Sequence, residues 1–141
     1  MSSRPLMFAV ALLAIPAAAL TAVHQGKMPS GWQLPPDADE LLSPLKTDEK
    51  VLAAGNALYT QTCERCHGPA GRGDGPDADP ENRTEMDLTN ARRAGRNPDG
   101  IVFHKILSGR GRPEMPAFKD ELSTDEIWRV VAYIQTLRRQ P

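Results

Sequence analysis

Cys63, Cys66 and His67 stand in the run Cys63-Glu64-Arg65-Cys66-His67, and residues of these types at this spacing can hold a haem covalently. Two thiols three positions apart share one side of a helical turn, within reach of the two vinyl groups of a porphyrin. The imidazole one residue later sits beneath the iron with a ring nitrogen free to coordinate it. One turn therefore supplies two thioether bonds and a proximal ligand, and it uses both cysteines in the chain. Two other chemistries use similar residues. A thiol–disulfide centre also carries Cys-x-x-Cys, but in a βαβ context, and no strand-like alternation flanks Cys63. A closed zinc site needs four ligands, and beyond the motif the chain offers only His24, His104 and carboxylates.

A haem iron with one protein ligand binds small molecules, whereas with two it mainly transfers electrons. The candidates for the second ligand are Met28, Met86, Met115, His24 and His104. Met115 lies in Arg112-Pro113-Glu114-Met115-Pro116-Ala117-Phe118, where flanking prolines stiffen the loop and lower the entropy cost of presenting the sulfur. It is the expected ligand, with His104 or an open sixth position as the alternatives. Met86 lies in an acidic loop without comparable bracing. A thioether ligand favours ferrous over ferric iron. No nucleophile–base pair or carboxylate dyad is apparent, so no catalytic residue is assigned.

Helices must position these groups. Thr47 is a plausible N-cap with Asp48 and Glu49 in the first turn, and Val51, Leu52, Gly55, Leu58, Tyr59 and Thr62 follow at helical spacing into Cys63. Gly55 inside that helix costs about 1 kcal/mol relative to alanine, which points to a second helix crossing closely there. Ser123-x-x-Glu126 forms a capping box ahead of an apolar stripe of Ile127, Val130, Val131, Ile134 and Leu137, with Trp128 and Tyr133 at its margins. Asn97 as N-cap and Pro98 at the first helical position open a shorter helix carrying Ile101, Val102, Phe103, Ile106 and Leu107, and Gly109 stops it. No convincing strand appears. The expected class is all-α, a small helical domain with long loops wrapped around one haem. Aromatic residues make up only 5% of the chain, so the porphyrin would supply much of the apolar core.

Arg4, the apolar run Leu6–Leu20 and the small residues after it have the layout of a secretory signal, expected over residues 1–22, with a retained anchor as the alternative. Residues 23–46 hold Pro29, Pro35, Pro36 and Pro44 and read as a tether or strap, with Trp32 and Leu34 touching this domain or a partner. Residues 47–141 are the expected domain, placed in the periplasm by the leader. The chain carries 17 basic and 18 acidic residues. Arg92, Arg93, Arg96, Lys105, Arg110 and Arg112 are concentrated ahead of Met115, where they could steer an acidic partner.

Taken together, the sequence resembles the class I c-type cytochromes over about residues 47–139. The carrying residues are Gly55-x-x-x-Tyr59, Cys63 to Gly68, Gly71-Arg72-Gly73-Asp74-Gly75-Pro76, Asp87-Leu88-Thr89, Met115-Pro116-Ala117-Phe118, and Leu122 to Leu137. The resemblance implies one haem c bound through Cys63 and Cys66 with His67 and Met115 on the iron. It also implies a contact between Gly55 and the Tyr133 region. A proline carbonyl, from Pro76 or Pro69, would orient the proximal imidazole. The function expected is one-electron transfer between redox proteins outside the cytoplasm, a donor dehydrogenase or an acceptor oxidase, with no nucleic acid partner. The alternatives are a haem subunit of a larger oxidoreductase, a gas sensor with an open iron site, and a thiol oxidoreductase.

Overall fold

The computed structural model describes residues 30–139. The leader, the first tether residues with His24 and Met28, and the last two residues lie outside the described residues.

Helix α1 (Glu49–Thr62) starts at Asp48, whose carboxylate accepts from the Val51 amide at 2.9 Å. The cap is one residue later than Thr47, because the Asp48 side chain reaches an amide of the first turn. Helix α6 (Thr124–Leu137) opens on the expected capping box. The Ser123 amide donates to Glu126 Oε2 at 2.8 Å and the Glu126 amide to Ser123 Oγ at 3.4 Å. The two helices cross at Gly55. A methyl group there would run into the Arg129 carbonyl and stand 3.0 Å from Tyr133 Cβ. The Tyr59 and Tyr133 rings meet beside that crossing, centroids 5.2 Å apart.

Ile127, Val130, Val131, Ile134 and Leu137 are buried as their spacing predicts, each worth about 1.5–3 kcal/mol when fully removed from water. Trp128 departs from expectation: it is buried, not marginal, and stacks on Phe103 with centroids 4.4 Å apart. The stripe is wider than the aliphatic positions alone suggest, because helix α5 (Asp99–Ser108) packs on that side. Pro98, not Asn97, stands at the N-cap of α5. The Asn97 amide is engaged elsewhere, donating to the Arg93 carbonyl and accepting from Lys105 Nζ.

Between α1 and α5 the chain forms only short pieces: α2 (Glu64–His67), a 3-10 turn (Pro80–Asn82), α3 (Arg83–Met86) and α4 (Ala91–Ala94). After α5, strands β1 (Arg110–Gly111) and β2 (Glu114–Met115) pair antiparallel, Arg110 opposite Met115 and Gly111 opposite Glu114. These four residues are the strand content among the described residues, so the class remains all-α while the expected loop around Met115 is partly a ribbon. The segment before α1 is a strap on this domain. Ala38 is buried, its carbonyl and Leu41 lie against Gly100 at the start of α5, and Trp32 lies under Lys105 and Arg110.

Candidate haem-attachment site

Helix α1 ends at Cys63, and the amides of Cys66 and His67 both turn back onto the Cys63 carbonyl, at 3.2 and 3.0 Å. The motif is therefore one tight turn, as its spacing requires. The glycine-rich loop that follows is folded against it. The Gly73 amide donates to the His67 carbonyl at 2.8 Å, the Asp77 amide to the Arg65 carbonyl at 2.8 Å, and Arg65 Nε to Asp77 Oδ2 at 2.6 Å. From the other side, the buried Tyr59 hydroxyl donates to the Gly68 carbonyl at 2.7 Å. That carbonyl also accepts from the Gly71 amide at 3.0 Å, and the tyrosine bond ties the end of the motif to the α1–α6 crossing.

The imidazole is oriented by a residue the sequence did not single out for that role. His67 Nδ1 lies 2.6 Å from the Met86 carbonyl. A carbonyl only accepts, so Nδ1 carries the proton and Nε2 keeps its lone pair for a metal. This corrects the expectation of Pro76 or Pro69. The Leu88 amide donates to the Gly71 carbonyl at 2.7 Å, and Arg72 bridges Asp87, which together draw the end of α3 over the histidine. Asp87 Oδ1 accepts from the Thr89 amide and hydroxyl, at 2.8 and 2.7 Å, and fixes that turn. Burial, the larger cause, and the Arg110 charge push His67 down, against the opposing Met86 carbonyl, so the ring is held neutral as a ligand must be.

Cys63 is buried, and burial pushes its thiol up to about 11 even though Thr62 hydrogen-bonds to it. An attacking cysteine needs the opposite shift, so a thiol oxidoreductase is a poor fit. A protonated Cys63 thiol in a turn with a neutral imidazole suits thioether formation.

Met115 is half-buried against the same apolar core that receives Cys63. Three features set its backbone. It pairs with β1. Gly109, at φ +60°, lies against the Met115–Ala117 backbone where a side chain would collide, and the Phe118 amide donates to the Ile106 carbonyl at 3.0 Å. Met86, a rival candidate, contributes its carbonyl on the histidine's own side. His104 stays on α5, edge-on to Phe103 at 5.4 Å.

Arg110, which pairs with Met115 and whose charge is felt at His67, joins Lys105 at Trp32. Arg110 and Lys105 lie over the Trp32 ring, 4.4 and 4.9 Å from its centroid. The basic run is therefore not one solvated face. Arg93 is paired with Glu85 and Arg110 is nearly buried, while Arg92, Arg96 and Arg112 are exposed. Arg110 Nε is buried with no hydrogen-bond partner among the described residues. An orphaned guanidinium N–H whose charge is felt at the neutral imidazole suits a group that is apolar in its body and carries carboxylates, as haem does.

The family described as cytochrome c oxidase, cbb3-type, subunit III matches residues 50–134. Among solved structures, a chain of the Kuenenia stuttgartiensis reducing HAO-like protein complex is similar, at 33% identity and a TM-score of 0.55. The alignment covers 67% of this chain and 46% of that one, so the chain spans about half the length of that structural relative. No curated protein matches the chain.

Proposed function

Because the chain belongs to the family of cbb3-type cytochrome c oxidase subunit III, a c-type cytochrome domain that transfers electrons through haem c, we propose that it is a single-haem carrier acting outside the cytoplasm. In this reading Cys63 and Cys66 would hold the haem through thioether bonds, and His67 Nε2 and Met115 Sδ would hold its iron. The observation that carries it is the 2.6 Å bond from His67 Nδ1 to the Met86 carbonyl, which leaves Nε2 as the free donor. When bound, haem would supply reversible one-electron chemistry at its iron.

The protein's part is to hold the side chains that would bind it in place. The Met86 carbonyl fixes the imidazole plane, the Tyr59–Gly68 bond ties the motif to the helix crossing, and the Gly109-backed ribbon fixes Met115. Little then moves when an electron arrives or leaves. The two available cysteines supply the linkages for one haem.

The test is a visible spectrum and intact mass of the chain matured with haem-attachment machinery in the periplasm. Reduced bands of cysteine-linked haem and one added haem mass are expected. A colourless product of unmodified mass sinks the proposal. A second reading, a haem subunit within a larger oxidoreductase, is supported by the two matched names, which describe an oxidase subunit and a protein complex. Co-purification of the native protein with a haem oxidoreductase distinguishes it from a free carrier.

A further inference from the structure

Four cations, Arg93, Lys105, Arg110 and Arg138, gather around Asn97 and Trp32, and the carboxylates that face them are Glu85, Asp87 and Asp99. Arg93 takes both oxygens of Glu85 in a two-pronged contact. Arg110 Nη1 is left 3.7 Å from Glu85 Oε2, outside hydrogen-bond range. The Arg110 side chain is only 11% exposed, and its Nε has no partner among the described residues. A nearly buried guanidinium whose Nε has no partner has room for a further anion.

The fold says where that anion sits. Arg110 and Met115 are directly opposite across the ribbon, and opposite residues of an antiparallel pair project from the same face. The Arg110 charge also reaches His67, a residue on a different element. Arg110 therefore shares a face with one candidate iron ligand and lies within electrostatic reach of the other, where a haem edge would come. We infer that Arg110, backed by Trp32 and flanked by Lys105, binds a propionate carboxylate of the haem. The inference rests on the haem reading above.

An acidic side chain of a redox partner offers the same chemistry. The burial of Arg110 and the Trp32 strap laid under both cations favour a carboxylate brought from inside the domain.

The experiment uses the haem-loaded protein without any partner. Wild type, Arg110→Gln, Arg110→Lys and the exposed control Arg96→Gln are matured with haem carrying 13C-labelled propionates. One propionate of the wild type stays ionised below the ordinary carboxylate range, and Arg110→Gln raises its midpoint by about one pH unit or more. Loss of the cation also favours ferric iron, so the ferrous-to-ferric ratio at fixed potential falls by about tenfold, a drop of ~59 mV. Arg110→Lys recovers the charge effect in part, and Arg96→Gln changes neither readout.

Haem bands with ordinary titration of both wild-type propionates overturn the inference while leaving the haem reading intact. So does an unchanged potential in Arg110→Gln with slower transfer to a partner only, which assigns the guanidinium to a partner carboxylate. If Arg110→Gln does not accumulate, the wild-type propionate titration decides alone. A chain that takes up no haem removes both proposals together.

Discussion

Arg110 and Met115 are direct partners across a two-residue ribbon, so a nearly buried cation and a half-buried thioether leave one backbone unit on the same side. The ribbon is held by Gly109, whose lack of a side chain lets the Met115–Ala117 backbone pass against it. The electrostatics of the site and its candidate sixth ligand are thus set by a single turn of chain between α5 and α6.

Replacing Met115 tests the ligand directly. In the haem-loaded protein, Met115→Ala abolishes the weak far-red ferric band of thioether ligation and lets the reduced iron bind carbon monoxide. The midpoint potential falls by on the order of a hundred mV or more, inside the ~0.8 V span that axial ligands command. Met115→His restores six-coordination but not the potential. A far-red band that survives in Met115→Ala would move the ligand elsewhere, His104 being the next candidate.

At the α1–α6 crossing the measurement is stability. Gly55→Ala places a methyl group against the Arg129 carbonyl and Tyr133 Cβ, and forces the helices apart. Despite alanine's better helix propensity, the variant should lose about 1–3 kcal/mol in chemical denaturation of the haem-loaded protein. A variant as stable as wild type, or more so, would mean the crossing has slack that the close approach denies.

How much of this could be read from the residues alone divides along local and non-local lines. The capping box at Ser123, the α6 stripe and the single-turn motif from Cys63 to His67 depend on residues within a few positions of one another, and all appear where spacing puts them. The Gly55 crossing was legible because a glycine in a good helix needs a reason. The Met86 carbonyl was not legible, because any residue can supply a backbone oxygen and only the Arg72–Asp87 bridge brings that one to His67. Arg110 looked like one more surface cation, since burial by a strap more than sixty residues earlier leaves no mark in its neighbours. Trp32 and Leu34 hinted that the strap touches something, without saying what.

Tyr59 carries a second structural prediction. Its hydroxyl is fully buried and is the side-chain donor to the Gly68 carbonyl, and burial, chiefly, pushes its ionisation far above the ordinary tyrosine range. Tyr59→Phe keeps the ring against Tyr133 but removes one of the two hydrogen bonds to that carbonyl, which still accepts from the Gly71 amide at 3.0 Å, at a cost of about 0.5–1.5 kcal/mol in unfolding free energy. The same variant should loosen the end of the motif, seen as faster hydrogen exchange of the amides from His67 to Gly73. Unchanged exchange there, whatever the stability, would show that the hydroxyl does not anchor the motif.

Lys105 gives the pH dependence. Burial, first, and then the charges of Arg110, Arg138 and Arg93 push it down to about 8, against the partial opposition of Glu85. A propionate at Arg110 pushes the other way, so in the haem-loaded protein the midpoint should lie between about 8 and the ordinary 10.5. The folded chain then gives up this proton before the unfolded chain does. Below the folded midpoint both states hold the proton, and the cost of enclosing the ammonium is felt in full. As pH rises from that midpoint to 10.5 the unfolded chain binds more protons, so unfolding free energy rises with pH, and above 10.5 the gain is complete. Lys105→Met removes this proton, so the difference in unfolding free energy between wild type and variant should narrow or change sign across that window. Denaturation curves at intervals from pH 7 to about 10.5 provide the comparison. If the two proteins run parallel throughout, the ammonium is solvated and the packing of Lys105 over Trp32 exerts no electrostatic strain on the fold.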